Sequence, residues 1–392
     1  MQRIFTPIKQ LFSNTKFAFI VWMLLPLAAA IKQVLLNSYG NYYVYKYSFI
    51  NIIHQKFMYL IDANVVGADL HYGPFFSFII APFSLFPDWI GVILWVLFNA
   101  FILYWAVSKL ELTQTQKNWI YIICAHELMT SSFNVQFNPF VAAMIVLSYV
   151  FIRKEKDFWA ACCIAIGLFT KLYGIVGVAF FFFSQHKIKF SLSLLFWSIV
   201  CFCIPMLYSS PDFVIQSYLD WKNELVMKNA RNITGQMNMQ NISAIGMIQR
   251  IGNFTLQSNW IVIVPALIFS ATACLNFKAY EFKRFQQLML ASVLLFVVLF
   301  STGSESCTYI IAMIGVGIWF VGKQKRNILD INLLILAMIL TVFSPSDLFP
   351  RVLYQTIVLP FALKALPCFL IWIKIIFEMW FIKSEDNLLT ES

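Results

Sequence analysis

Residues 17–36 of the chain read FAFIVWMLLPLAAAIKQVLL, an almost wholly apolar run. A helix of about 20 apolar residues is long enough to cross the hydrocarbon core of a bilayer. Basic residues precede the run, as they do in a signal peptide, but the apolar part of such a peptide is shorter. We therefore interpret residues 17–36 as a retained first transmembrane helix.

The composition of the whole chain supports this interpretation. Hydrophobic residues make up 60% of the 392 residues and charged residues 12%, and the mean hydropathy is +0.76. Soluble domains contain roughly 45–50% apolar and about 25% charged residues. The eight cysteines fall in or beside apolar segments, which favours small buried or lipid-facing side chains over disulfides or metal ligands. The sequence predicts an all-α, polytopic integral membrane protein.

Apolar segments recur along the chain and predict about twelve transmembrane helices in a single membrane domain over residues 1–392. Several of the central segments are shorter than a full span. The predicted segments are 17–36, 89–109, 119–133, 137–152, 158–170, 172–184, 190–208, 260–277, 286–301, 307–321, 328–344 and 355–380.

Lysine and arginine collect in alternate connections, which predicts the orientation. The short connections and the two terminal tails that should share one side carry Arg3, Lys9, Lys16, Lys109, Lys117, Arg153, Lys154, Lys156, Lys187, Lys189, Lys278, Lys283, Arg284, Lys323, Lys325, Arg326 and Lys383. By the positive-inside rule this side, with both termini, is cytoplasmic. The net charge of +10 is thus explained by topology rather than by binding of nucleic acid. Two long loops, about 37–88 and 209–259, then lie on the outer, periplasmic face of the cytoplasmic membrane.

The first of these loops contains two predicted helices. Apolar positions recur at helical spacing over residues 41–53, which is typical of an amphipathic helix lying in the membrane interface. Residues 73–83 are apolar but bounded by polar residues and prolines, which favours a short helix that re-enters the membrane.

Between these helices, residues 68–74 read ADLHYGP and place Asp69 and His71 directly before a helix-starting Gly-Pro. A carboxylate at the outer face can take the proton of a hydroxyl group during group transfer, so Asp69 is the first candidate for a catalytic base. The alternative is a helix cap or a solvated acid. Asp62 is the second candidate. His71 is expected to orient the acid or to contact a phosphate.

Three further cations are candidates for binding a phosphate. Lys171 interrupts a long apolar stretch at a predicted outer turn, and Arg250 and Arg351 lie in later outer loops. The alternatives are a lysine that snorkels at a helix end and arginines that contact anionic lipid headgroups.

Four polar residues lie near these cations in the predicted topology. Glu127 lies within an apolar segment, where a carboxylate is costly, so we expect it to line the site or to hold Lys171; a structural buried pair or a protonated carboxyl between helices is the alternative. Gln136 and Asn138 are expected to bind sugar hydroxyls or to complete a turn. Glu305 is expected to bind a sugar or cation, or to stabilise a helix N-terminus.

Several short motifs together resemble glycosyltransferase family 87 of the C-type (GT-C) superfamily. They are Tyr72-Gly73-Pro74 followed by Ala81-Pro82-Phe83, Val135-Gln136-Phe137-Asn138, Gly167-Leu168-Phe169-Thr170-Lys171-Leu172-Tyr173, and Gln240-Asn241-Ile242-Ser243 with Arg250. Residues 304–309 and 365–368 resemble a Bacteroidetes-type branch. The resemblance implies a GT-C-like fold and transfer of a hexose, with mannose expected, from a polyprenyl-phosphate sugar. It adds Tyr72, Tyr173 and Asn241 to the substrate-binding candidates.

The sequence departs from the family pattern at two places. Asn41 stands where many relatives carry an acid, and the turn at 301–306 lacks a His-His pair that many relatives have. An amide cannot act as a base, so either Asp69 or Asp62 takes that role or activity is lost.

The expected function is therefore inverting hexosyl transfer from a polyprenyl-phosphate sugar to a lipid-linked or glycan acceptor at the outer face. The expected partners are membrane lipids, the donor and the acceptor. No cofactor is expected, and the lack of an Asp-x-Asp pair predicts no metal. Two alternatives are a transporter of lipid-linked saccharides, which the lack of inverted repeats disfavours, and a non-catalytic envelope assembly protein.

Overall fold

The computed structural model describes residues 13–59, 69–234 and 240–382. All regular secondary structure in this part of the chain is helical, with no strand, which confirms the prediction of an all-α protein. The described chain forms two compact units. The first comprises its residues within 1–21, 111–127 and 229–392, and the second those within 22–110 and 128–228.

The described chain contains sixteen α-helices, numbered here in chain order. They are α1 (Thr15–Leu35), α2 (Gly40–Ile53), α3 (Phe76–Ser84), α4 (Asp88–Ser108), α5 (Gln114–Phe133), α6 (Asn138–Arg153), α7 (Asp157–Thr170), α8 (Lys187–Cys203), α9 (Pro211–Ile233), α10 (Ala244–Gly252), α11 (Trp260–Ala273), α12 (Lys283–Leu299), α13 (Tyr309–Val321), α14 (Ile328–Leu336), α15 (Arg351–Leu353) and α16 (Ala365–Phe381). Segments of 3-10 helix cover Leu172–Phe183, Ile204–Leu207, Phe277–Ala279 and Ser306–Thr308, and π-helical segments cover Ala337–Phe343 and Tyr354–Val358.

Three helical stretches of the described chain are long and apolar enough to cross a membrane. They are α1, α4 and Lys187–Leu207, each of 21 residues. The other apolar helices contain 10–17 residues. The structure thus agrees with a membrane protein without establishing the twelve predicted crossings.

The predicted segments fall on helices, with one error. Residues 355–380 were expected to form one segment, but a π-helical segment ends at Val358 and α16 begins at Ala365. Pro360 lies between them and has no N–H to continue a helix, and Ala362 adopts a left-handed conformation with φ 51°. The helix predicted over 41–53 is present as α2, and the short helix predicted over 73–83 is present as α3.

In the second unit, α6 is the central helix, because nearly every residue from Asn138 to Ile152 is buried. α4 and α7 pack against it. Rings of α3 and α4 meet its first turn, where Trp95 stacks on Phe137 with ring centroids 5.4 Å apart. Between helices in lipid, close packing of this kind replaces the hydrophobic effect as the source of stability.

The 3-10 helix that follows α7 is 12 residues long, whereas runs of more than three or four residues are uncommon. It packs tightly against α7 at two glycines. A Cβ added at Gly174 would lie 2.3 Å from the carbonyl carbon of Gly167. Only glycines allow the two backbones to approach this closely.

In the first unit, α12 and α13 form a buried hairpin, and α16 packs against α12. A small residue again permits the contact, since a Cβ at Gly315 would lie 2.8 Å from the carbonyl oxygen of Ala291.

A buried ion pair connects three segments of the first unit. Lys364 Nζ lies 2.8 Å from Glu127 Oε1, and the two side chains are 3% and 0% exposed. The same ammonium group donates to Ser306 Oγ at 3.0 Å. The expectation that Glu127 holds Lys171 is wrong. Its partner is Lys364, and the ammonium of Lys171 donates to Asn138.

We expect Lys364→Met to destabilise the protein strongly, because it leaves the Glu127 carboxylate buried without its partner. Breaking a buried pair from one side costs about 3–5 kcal/mol, whereas replacing both partners with apolar residues is often neutral. Thermal unfolding in detergent, followed by tryptophan fluorescence, should show a large fall in Tm for Lys364→Met. The double variant Glu127→Leu/Lys364→Met should recover most of it.

Lys325→Met is the matched control, since Lys325 is exposed and its loss should leave Tm unchanged. A Lys364→Met protein as stable as the parent would contradict a structural role for the pair.

Candidate functional site

The segment from Asp69 to Pro74 is fixed to its unit through its backbone. The Gly73 N–H donates to Thr170 O at 3.0 Å, at the end of α7. The indole of Trp221 on α9 donates to His71 O at 3.1 Å. Both contacts use main-chain groups, so the side chains of the segment remain available for other contacts.

Gly73 is required at its position because the two chain segments nearly touch. A Cβ at Gly73 would lie 2.2 Å from Phe169 O and 3.0 Å from the Trp221 ring. Pro74 follows, and α3 begins two residues later, as expected for a residue whose fixed φ suits a first helical turn. The Gly-Pro pair therefore allows both a close backbone contact and the start of a helix.

Lys171 lies where α7 gives way to the 3-10 helix. Its backbone is extended, with φ −145° and ψ 124°, and this directs the side chain away from both helices toward the start of α6. There Nζ donates to Asn138 Oδ1 at 2.7 Å. The ammonium also lies 4.5 Å from the ring centroid of Tyr173 and 5.7 Å from that of Tyr72. These are distances at which aromatic faces attract a cation.

Gln136 joins the same group. Its side-chain oxygen accepts from the Tyr72 hydroxyl at 3.4 Å, and its own backbone N–H closes the turn before α6 by donating to Ser131 O. Five predicted residues therefore lie together in the second unit, and we name them the Lys171 cluster: Tyr72, Gln136, Asn138, Lys171 and Tyr173. Asn138 is fully buried, and Lys171 is half-buried.

Of the two acids predicted as candidate bases, the structure describes Asp69 alone. Asp69 is exposed at the start of the segment. Asp62 lies outside the described residues. Asn41, which stands in place of an acid of the family, donates from its amide to Asn134 O at 2.9 Å, so it supports the turn before α6.

His71 lies beside a carboxylate that the sequence analysis missed. Its Nδ1 is 3.3 Å from Glu224 Oε1, although the N–H direction is not aligned for a hydrogen bond. Burial lowers the pKa of His71, while Glu224 opposes that shift. Glu224 is buried.

A sequence signal for Glu224 does exist. Asp220, Glu224 and Lys228 recur every four residues in the second long loop, which places them on one face of a helix. The structure places that face of α9 toward the loop that carries Tyr59 and His71.

In the first unit, Asn241 and Arg250 make hydrogen bonds that stabilise the fold around their own loop. Asn241 has a φ of 56°, and its amide donates to Gln249 Oε1 at 3.0 Å. Arg250 donates to Gln240 O at 2.7 Å and to Leu359 O at 2.9 Å, and burial lowers its pKa. The predicted binding roles of Asn241 and Arg250 stay predictions, beside these structural contacts.

The other two candidates of the first unit lie at helix starts. The Glu305 side chain caps the 3-10 turn before α13 in a reciprocal arrangement with Thr308, which agrees with the alternative interpretation of a residue that stabilises a helix N-terminus. Arg351 is exposed and begins α15 directly after Pro350. Neither is brought toward another predicted site residue by a described hydrogen bond.

Comparison with known proteins yields one family. The family model described as Glycosyltransferase family 87 matches residues 70–302, which is more than half of the chain. The matched region includes His71, the whole Lys171 cluster, Glu224 and Arg250. No curated protein matches the chain.

We expect Gly73→Ala to destabilise the second unit, because the added methyl group would overlap a carbonyl oxygen that cannot move without its helix. Overpacking of this kind costs about 1–3 kcal/mol. The measurement is Tm in detergent, with Gly317→Ala as control. The nearest atom to a Cβ at Gly317 is 3.4 Å away and belongs to the Ile120 side chain. Equal Tm values for the two variants would contradict the proposed close contact.

Proposed function

The chain belongs to glycosyltransferase family 87, and we propose that this membrane glycosyltransferase moves a hexose, with mannose expected, from a polyprenyl-phosphate donor to a hydroxyl group of a lipid-linked or glycan acceptor. The family supports sugar transfer by a membrane protein in general. The identity of the donor is our proposal, and it depends on the surroundings of Lys171.

The observation that carries the proposal is the geometry of the Lys171 cluster. An ammonium group held by Asn138 Oδ1 and by the faces of two tyrosines is a positioned positive charge on a rigid support. The phosphate of this donor is a diester of the polyprenyl group and the sugar; it becomes more negative as the sugar departs, and a fixed cation stabilises that charge. The neighbouring amides of Gln136 and Asn138 are of the type that binds sugar hydroxyls.

An apolar groove in the same unit supports a lipid-linked donor. It has a volume of about 390 Å³ and is lined by side chains of α1, α3 and α4 and of the turn after α3: Met23, Pro82, Phe83, Phe86, Leu94, Leu97, Phe98 and Phe101. α3 begins beside Tyr72, whose ring stacks on Phe76 at 4.5 Å, and its nine residues extend about 14 Å toward the groove. A prenyl chain in the groove would lead its phosphate toward the cluster.

In the proposed reaction, the acceptor oxygen attacks C1 of the sugar from the face opposite the phosphate, which inverts the anomeric centre. The C1–O bond to phosphate breaks, and its electron pair leaves with the polyprenyl phosphate. A base takes the acceptor proton. We place that base on the Asp69–Tyr72 segment, which carries the Asp69 carboxylate and the His71 imidazole.

The remaining parts of the proposal follow from the sequence. They are a GT-C-like architecture with about twelve crossings and interfacial helices, a cytoplasmic membrane location with both termini inside, and a site on the periplasmic face. The proposal also includes Arg250 as a second phosphate ligand and Glu305 and Arg351 as further substrate-binding residues. The proposed reaction uses no cofactor.

The proposal predicts that Lys171→Met lowers kcat/KM for transfer of labelled sugar from a polyprenyl-phosphate hexose by about 100-fold or more, because loss of one preorganised donor in an active site costs about 10²–10³. Lys171→Arg should keep part of the activity, since it keeps the charge. Asn138→Ala should raise KM more than it lowers kcat, because the ammonium group loses its anchor.

Lys222→Met is the control, since Lys222 is exposed on α9. Unchanged transfer by purified Lys171→Met would contradict phosphate binding at this residue. Absence of transfer from any polyprenyl-phosphate hexose by the parent protein would contradict the proposed donor.

A further inference from the structure

The side chain of His71 is supported from behind by α9. Its Nδ1 is buried and lies 3.3 Å from the carboxylate of Glu224, which is itself 8% exposed. Its carbonyl accepts the indole hydrogen of Trp221, one turn earlier on the same helix. One helix face thus binds the main chain of His71 and places a carboxylate beside its ring.

The His71 side chain is 24% exposed, and its Nδ1 is the buried ring nitrogen next to Glu224. A proton on Nδ1, favoured by the Glu224 carboxylate 3.3 Å away, leaves a lone pair on Nε2. This tautomer is the one that can accept a proton at Nε2.

Three charged groups face the ring: Glu224 and Lys228 from α9, and Asp69 from its own segment. Burial, the largest effect, lowers the pKa of His71; Glu224 and Asp69 raise it, and Lys228 lowers it. The net direction is downward from 6.5, so the imidazole is neutral at pH 7 and able to act as a base.

His71 also directly precedes a residue of the proposed phosphate site. The next residue, Tyr72, places its ring 5.7 Å from the ammonium of Lys171. One short segment, fixed by Gly73 and Trp221, therefore carries both the imidazole and a ring of the Lys171 cluster.

Resting on the proposed function, we propose that His71 is the catalytic base and that Glu224 is the residue that positions it. The proton of the acceptor hydroxyl passes to Nε2 as its oxygen bonds to C1, and the C1–O bond electrons leave with the polyprenyl phosphate. Glu224 holds the ring in the required tautomer and stabilises the imidazolium, as the acid of a catalytic triad does for its histidine. The imidazolium then releases its proton to water.

The test is the pH dependence of kcat/KM for sugar transfer by purified protein. The parent should lose activity on the acid side with a midpoint below 6.5. His71→Gln should lower kcat by about 10²–10⁴ and remove that limb. Glu224→Gln should lower activity and move the limb to lower pH, because the carboxylate that raises the histidine pKa is gone. Glu224→Asp should restore part of both.

Asp220→Asn is the matched control, a carboxylate one turn earlier on α9, and it should keep the parent profile. Asp69→Asn should retain a histidine-like limb. If His71→Gln does not fold, as judged by Tm and by KM for the donor, the test depends on Glu224→Gln. The pH midpoint of its acid-side loss of activity then decides whether His71 is the base.

Loss of activity in Asp69→Asn together with normal activity in His71→Gln would overturn the proposal and assign the base to Asp69. A limb that does not move in Glu224→Gln would reduce Glu224 to a structural residue and overturn its positioning role. A parent protein without transfer would instead overturn the proposed function, and this inference with it.

Discussion

The hydrogen bond from Gly73 N–H to Thr170 O determines the geometry of the candidate site. Thr170 ends α7, and the last carbonyl groups of a helix have no partner within it. The loop supplies one here, and Gly73 is the residue that lets it come close enough. Lys171 follows Thr170, and His71 and Tyr72 precede Gly73, so a single backbone contact joins the segment that carries the imidazole and the phenol to the helix end that carries the ammonium group.

Much of the helical pattern could be predicted from the sequence, because runs of apolar residues in a chain of this hydropathy must satisfy their backbone internally. At 355–380, Pro360 is a local signal for a break in the helix, but the long apolar run favours a single segment. The 3-10 geometry of Leu172–Phe183 has no local sequence signal beyond its glycines, because an apolar run of this length is compatible with either an α-helix or a 3-10 helix.

Site residues whose contacts lie close in sequence could be predicted, and those whose partners lie far away in sequence could not. Gln136, Asn138 and Lys171 stand at predicted turns, and Tyr72 and Tyr173 come from the family resemblance. The fold collects all five at one place. Glu127 was correctly expected to need a partner in an apolar segment, but Lys364 lies 237 positions away and no local pattern links the two. Glu224 had a pattern, the four-residue spacing on α9, whose meaning depends on knowing which loop that face meets.

The 3-10 helix after Lys171 is longer from end to end than an α-helix with the same number of residues. Its 12 residues would extend about 18 Å as an α-helix and extend about 24 Å at a rise of 2.0 Å per residue. The hydrocarbon core of a bilayer is about 30 Å thick. A stretch of 12 residues thus has the length of most of that thickness in this geometry, and Lys171 at its first end lies correspondingly farther from Phe183 at its other end.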